Sequence, residues 1–278
     1  MTLKLSDHFS GPRTLRSPRE IRLMREPGLA VWQAHQIAGE LVRPGATTGE
    51  VDAAVDRHFQ ELGAIPLFKG YAGVTPFPAV TCISVNEEVV HGIPGERVLI
   101  EGDIVSIDTG CKINGWCGDA AVTHAVGNVA PDVQRLLDVT SGALDLTIEL
   151  LGTKRQWSEV AKEMSAYVKD AGFSVVEDFV GHAIGREMHE RPQVLNYYDR
   201  EKYEDEGGEF DLRPGVVIAV EPMVNMGTKK VRCLSDQWTQ VTTDGKPSAH
   251  FEHTIALTKD GPLLLTGPPP DGQVNSPD

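Results

Sequence analysis

Five side chains able to bind a metal ion are spread along this chain, each in a short segment of distinct composition. They are Asp108 in Ser-Ile-Asp-Thr-Gly, Asp119 in Cys-Gly-Asp, His182 in Gly-His-Ala-Ile-Gly, Glu221 in Val-Glu-Pro-Met and Glu252 in Phe-Glu-His-Thr. Four carboxylates and one imidazole form a donor set for two hard or borderline divalent cations sharing bridging oxygens. Asp108 and Glu221 each follow an apolar run, Ile-Val-Ser-Ile in one case and Val-Val-Ile-Ala-Val in the other. A carboxylate buried at the end of such a strand is costly unless a partner or a cation neutralises it. His91 in Val-Val-His-Gly-Ile-Pro and His189 in Met-His-Glu-Arg-Pro are further candidates, although each alone reads more readily as a satisfied core histidine than as a functional group.

The elements that must position these groups are legible in part. Asn114-Gly115 is a strong two-residue hairpin signal. A tight turn there pairs Ile113 with Trp116, and so Gly110 with Asp119. Asp108, two residues before Gly110, then projects from the same face and becomes a diagonal neighbour of Asp119. A bulge at Cys117-Gly118 would shift that register. Like charges this close repel unless a cation lies between them.

Ser17-Pro18-Arg19-Glu20 reads as a helix start, with Ser as N-cap, Pro in the first turn and Glu three residues on. That helix is expected to run to about Val42, broken or kinked at Pro27-Gly28. A second, over about 48–62, places Val51, Val55, Phe59 and Leu62 on one stripe. The stripe recurs 109 residues later as Val160, Met164, Val168 and Ala171, and Gly63 matches Gly172. At an offset of 113, Glu101-Gly102-Asp103 and the strand to Asp108 parallel Arg213-Pro214-Gly215 and the strand to Glu221. This pattern predicts two helix-helix-strand-strand halves about a pseudo-twofold axis, each supplying a carboxylate from an equivalent strand.

Composition bounds the function. The 278 residues carry 26 basic and 40 acidic side chains, a net charge of −14, so no basic excess exists to bind DNA by counterion release. The four cysteines show neither zinc-type spacing nor a disulfide framework, which fits a reducing compartment. No apolar run approaches membrane-spanning length and no signal core begins the chain. The expected location is the cytoplasm. Residues 1–17 read as an N-terminal extension, 18–265 as a single catalytic domain and 266–278 as a disordered tail. The polar stretch 199–211 reads as a solvated loop.

Taken together, these segments carry a family resemblance from about Ser17 to Leu265. The motifs are Cys82-Ile-Ser-Val-Asn-Glu-Glu-Val-Val-His-Gly-Ile-Pro94, Gly-Asp-Ile-Val-Ser-Ile-Asp108, Gly-Asp119, Gly-His182, His189-Glu, Ile-Ala-Val-Glu221-Pro-Met and Glu252-His-Thr. In order and spacing the chain resembles the type I methionine aminopeptidases. The resemblance implies an α+β pita-bread fold, its two pseudo-twofold-related halves set around a curved, mainly antiparallel sheet. It implies two divalent cations, drawn from manganese, iron, cobalt or zinc. Asp119 and Glu252 match the bridging carboxylates, Asp108 the terminal ligand of one metal, and His182 and Glu221 the remaining ligands of the other. Glu221 also matches the proton carrier, His189 the histidine at the scissile carbonyl, and His91 the one near the substrate amino end. Phe77, Cys82, His91 and Trp238 match the wall of a methionine pocket; without the resemblance, Phe77 and Trp238 read equally as core.

The implied substrates are nascent polypeptide N-termini with a small second residue. The enzyme would work near the ribosome, as a monomer. Three departures stand out: Ala183 where the family has glycine, Met188 where an aromatic is usual, and an altered Gly73–Ala79 loop. The rival readings are an Xaa-Pro aminopeptidase or prolidase, which typically carries an additional N-terminal domain, and a non-catalytic binding protein of the same fold, which typically loses metal ligands.

Overall fold

Ser17 caps the first helix, α1 (Pro18–Leu41): its side chain accepts from the Glu20 N–H, and the Glu20 carboxylate accepts from the Ser17 N–H. The structure, a computed structural model, describes residues 14–200 and 208–269. The extension expected over 1–17 and the tail expected over 266–278 lie mostly outside those residues, as does the middle of the 199–211 stretch. No helix among the described residues is long and apolar enough to cross a membrane.

Of the break or kink expected at Pro27-Gly28, the break does not occur: α1 runs through both residues. Tertiary packing overrides the local signal. A Cβ on Gly28 would lie 2.1 Å from the Leu265 carbonyl oxygen, and one on Gly118 would lie 2.8 Å from Gly28 N. The Pro27-Gly28 surface is therefore the seam along which helix and sheet touch backbone to backbone.

The second helix, α2 (Thr48–Glu61), also starts in a capping box, Thr47 with Glu50. Val51, Val55 and Phe59 are buried as the stripe required, but Leu62 is 45% exposed. The chain leaves the helix at Leu62 towards Gly63, whose φ of 62° needs the freedom of glycine. Five strands follow: β1 (Ile65–Pro66), β2 (Thr81–Val85), β3 (Glu88–Val90), β4 (Ile104–Ile113) and β5 (Trp116–Ala125).

The second half opens with α3 (Pro131–Leu151) and α4 (Trp157–Asp170). Next come β6 (Ser174–Val175), β7 (Gly181–Ala183), β8 (Glu190–Val194), β9 (Val217–Val220) and β10 (Met223–Asn225). The chain closes through β11 (Val231–Cys233), β12 (Gln240–Thr242), β13 (Ser248–His250), β14 (Glu252–Thr258) and β15 (Gly261–Leu264).

The internal repeat is visible in the backbone hydrogen bonds. Thr48 N–H donates to Arg97 O, and its counterpart Trp157 N–H to Phe210 O. Leu99 donates to Ala46, and Leu212 to Arg155. α2 and α4 have the same length, and Gly172 repeats the positive φ of Gly63, at 83°. Each half has its own apolar cluster: α1 and α2 pack on β2 and β4, and α3 and α4 pack on β9 and β14.

The principal sheet runs β1-β4-β5-β14-β9-β7-β8, with β2 on β4 and β15 on β14, and its pairings are antiparallel. The β4–β5 hairpin has the expected register: Ile113 faces Trp116 and Gly110 faces Asp119, with no shift at Cys117-Gly118. Its turn residues Asn114 and Gly115 have φ of 51° and 75°, as a type I′ turn requires. The two matching acids sit differently in their strands. β9 stops before Glu221, where Pro222 lacks the N–H to continue the ladder, whereas β4 runs five residues past Asp108 into its hairpin.

Candidate metal centre

Five neighbouring strands each bring one of the five predicted ligands to the same region of the sheet. Across β4-β5-β14-β9-β7 these are Asp108, Asp119, Glu252, Glu221 immediately after β9, and His182. The register explains the convergence. Asp108 and Glu252 both pair with Ala121, two residues from Asp119. His182 pairs with Ala219, and His253 with Val220, which places Glu252 beside Glu221.

Asp119, His182 and Glu252 each offer a ligand atom within 4.8 Å of the others, and all three are buried. His182 Nε2 lies 3.6 Å from Glu221 Oε1 and 4.0 Å from Asp119 Oδ2. These separations exceed a hydrogen bond and suit atoms that share an ion between them. His182 Nδ1 lies 3.1 Å from the Ala183 carbonyl, which can only accept. The proton therefore sits on Nδ1, and the Nε2 lone pair faces the carboxylates.

The acids are under-satisfied. Asp108 Oδ1, Asp119 Oδ1 and Glu252 Oε1 are buried without a hydrogen-bond partner. Desolvation first, then mutual repulsion, pushes the Asp108, Glu221 and Glu252 carboxyls well above the usual range; desolvation also raises Asp119. Burial pushes His182 down to about 4, leaving it neutral and able to ligate. Orphaned carboxylate oxygens around a neutral imidazole lone pair fit a cation. Space is made for them: a Cβ on Gly110 would lie 2.9 Å from Asp119 Oδ1. Thr254 clamps the Asp119 backbone, accepting from its N–H at 3.1 Å and donating to its carbonyl at 2.7 Å.

The remaining predicted residues gather at this centre and beside it. The His189 ring meets the His182 ring edge-on at 4.5 Å between centroids. His91, with φ of 61°, lies 5.3 Å from Phe179 and 6.4 Å from Trp238. Phe77 packs edge-on against Trp238 at 5.2 Å. Phe77 and Cys82 share an apolar cluster with Phe68, Ala79 and Met188, flanked by Tyr71 and Trp238. Cys82 stands directly opposite Asp108 in the β2–β4 ladder, so this enclosure adjoins the acids. Ala183 has no positive φ and is buried, so its extra methyl is accommodated. Met188 is part of the apolar enclosure.

Some site residues were not legible in the sequence. Tyr71, whose hydroxyl lies 2.8 Å from His189 Nδ1, is 118 positions away and belongs to no chemical motif. Buried His250 lies 3.9 Å from Glu221 Oε2; its only signal was a place two residues before Glu252. Buried Arg16 forms an ion pair with Glu190, next to His189.

The characteristic sequence of metallopeptidase family M24 matches residues 22–259. Methionine aminopeptidase 1 of Bacillus subtilis is 45% identical over 251 residues, covering 90% of this chain and 98% of the relative. The crystal structure of a methionine aminopeptidase from Thermotoga maritima superposes with a TM-score of 0.85 at 40% identity, covering 92% of this chain and 99% of that one. A prolidase from Pyrococcus furiosus shares the fold, with a TM-score of 0.70 at 22% identity, and this chain covers 66% of it.

Proposed function

The chain belongs to metallopeptidase family M24, and within it to the methionine aminopeptidases of pita-bread fold; from this premise we propose how its buried centre serves the reaction. Membership implies binding of divalent metal and hydrolysis of an N-terminal peptide bond. In the proposed site Asp119 and Glu252 would serve both of two cations, Asp108 would help hold one, and His182 with Glu221 would hold the other. The observation that carries this reading is the set of buried carboxylate oxygens without partners, on Asp108, Asp119 and Glu252, converging from the three adjacent strands β4, β5 and β14.

When bound, two such cations supply an acidified water and neutralise charge developing on the carbonyl oxygen. The chain's own groups do the rest. The apolar enclosure of Phe77, Cys82, Met188 and Trp238 takes the unbranched thioether of methionine and excludes water. With its Nδ1 engaged by the Tyr71 hydroxyl, His189 offers Nε2–H to the oxygen of the scissile carbonyl. Glu221, its carboxyl raised by burial, carries a proton towards the departing amine. His91, beside Phe179 and Trp238, contacts the substrate near its amino end.

The substrates are nascent chains beginning Met followed by a small residue, since bulk next to the scissile bond would meet the enclosing wall. A monomer working in the cytosol near the ribosome completes the proposal. The cysteines Cys82, Cys111, Cys117 and Cys233 are free thiols, in keeping with a reducing compartment. Manganese, iron, cobalt and zinc all suit the mixed oxygen and nitrogen donors.

The test is release of free methionine from Met-Ala-Ser and Met-Lys-Ser by metal-stripped protein, with and without each of these ions. Cleavage of the alanine peptide alone, only with metal and lost in Asp119→Asn, is the expected result. Folded protein that stays inactive with all four ions would overturn the site assignment.

A further inference from the structure

Glu221 lies between two imidazoles. His182 Nε2 is 3.6 Å from its Oε1, and His250 Nε2 is 3.9 Å from its Oε2. The two histidines are held differently. His182 also approaches Asp119 and belongs to the group that shares an ion-sized space with Glu252. His250 lies outside that group and stands on the opposite oxygen of Glu221. It ends β13, paired with Met223 of β10, and its main-chain N–H donates to Thr123 Oγ1 at 2.8 Å. Its side chain is thus delivered by two fixed backbone attachments and is 2% exposed. Its Nε2 is buried without a hydrogen-bond partner. Such an atom is costly if left unsatisfied, and Glu221 Oε2 is the facing acceptor.

We propose that His250 is a positioning residue for the metal centre, its Nε2–H holding Glu221 Oε2 so that Oε1 is presented to the cation beside His182. This rests on the metal-binding reading above. A carboxylate oxygen only accepts, and a neutral imidazole has one N–H, so the favourable pairing requires the Nε2–H tautomer. The 3.9 Å separation exceeds an N–H···O bond by about 1 Å, a gap that the hydrogen bond closes. Anchoring a ligating carboxylate through its second oxygen fixes its orientation, and loss of such an anchor weakens the site without removing a ligand.

Cobalt(II) distinguishes the possibilities, because calorimetry reads its affinity and its visible spectrum reads its coordination. Metal-stripped parent, His250→Ala and His250→Gln are titrated, and the melting temperature of each metal-free protein is recorded. Should the alanine variant fail to fold, His250→Leu, which fills the space without a donor, takes its place. The expected result is a 10–100-fold loss of cobalt affinity without the donor and recovery to within about threefold by glutamine, whose amide N–H substitutes for the imidazole. The visible bands keep their positions throughout. Unchanged affinity in the donor-free variant overturns the proposal. So does a loss that glutamine does not restore and that comes with altered bands, because His250 is then itself a ligand. A parent that binds no cobalt removes the metal reading along with it, whereas a parent that binds with unaffected variants removes only the role of His250.

Discussion

In the first half, α2 starts behind the Thr47–Glu50 capping box, packs Val51, Val55 and Phe59 inward, and ends at positive-φ Gly63. In the second, α4 repeats the plan with Val160, Met164 and Val168 and ends before Gly172. The strands depart from this likeness. The first half turns a long hairpin and delivers two acids, Asp108 and Asp119, from adjacent strands. The second delivers Glu221 at a proline-terminated strand and His182 from a short one, and β14 carries Glu252 into the seam between the halves. Repetition is kept where backbone hydrogen bonds and helix burial hold the scaffold. It is relaxed where the four acids and His182 converge.

The largest effect should come from breaking the seam. Asp119→Asn removes a proposed bridge from both cations and should lower methionine release by about a thousandfold or more, the equivalent of several kcal/mol of lost stabilisation. Steady-state kinetics with saturating metal checks it. The likeness of the halves is sharpened by the matched variants Asp108→Ala and Glu221→Ala. Each should lower bound metal from about two ions to about one by elemental analysis. Glu221→Ala should be the less active of the two, because it also removes the proposed proton carrier. Equal activity would mean that the two acids do the same work.

Scaffold variants test the other side of the comparison. Met164→Ala should destabilise by about 3 kcal/mol and Val55→Ala, at the equivalent position, by about 2, since both side chains are fully buried. Exposed Leu62→Ala should cost less than about 0.5 kcal/mol. Denaturant titration of the metal-free proteins measures all three.

The last prediction concerns pH. The four acids have raised carboxyl pKa values in the metal-free fold, so the folded state binds more protons than the unfolded one. Stability is then fully present below the ordinary carboxylate range and declines as pH rises above about 4. The melting temperature of the metal-free protein should fall between pH 5 and 8, and an added divalent cation should cancel the fall. A melting temperature that rises over this range without metal would contradict the raised acids.

Much of this was legible because the signals are local. Asn114-Gly115 set the register that puts Gly110 opposite Asp119, and Ser17 with Glu20 set the start of α1. Failures occurred where distant contacts outweighed local preference. Pro27 and Gly28 read as a break or kink, and the helix is not broken there, its Gly28 in close contact with Gly118 and Leu265. Leu62 fits the periodic stripe, but the chain has already turned towards Gly63. Tyr71 and His250 were missed because neither sits in a spacing that signals chemistry; each gains a role from a partner far along the chain.

The sequence by itself determined the donor types, the repeat, the hairpin register and the helix starts, since these depend on residue chemistry and neighbours a few positions apart. Only the tertiary structure decided that β14 lies between β5 and β9, which brings Glu252 to acids more than a hundred residues away. It also decided which buried oxygens find no partner. The reason is physical: strand order and desolvation are properties of the packed whole, fixed by the burial of two apolar clusters together and encoded at no single position.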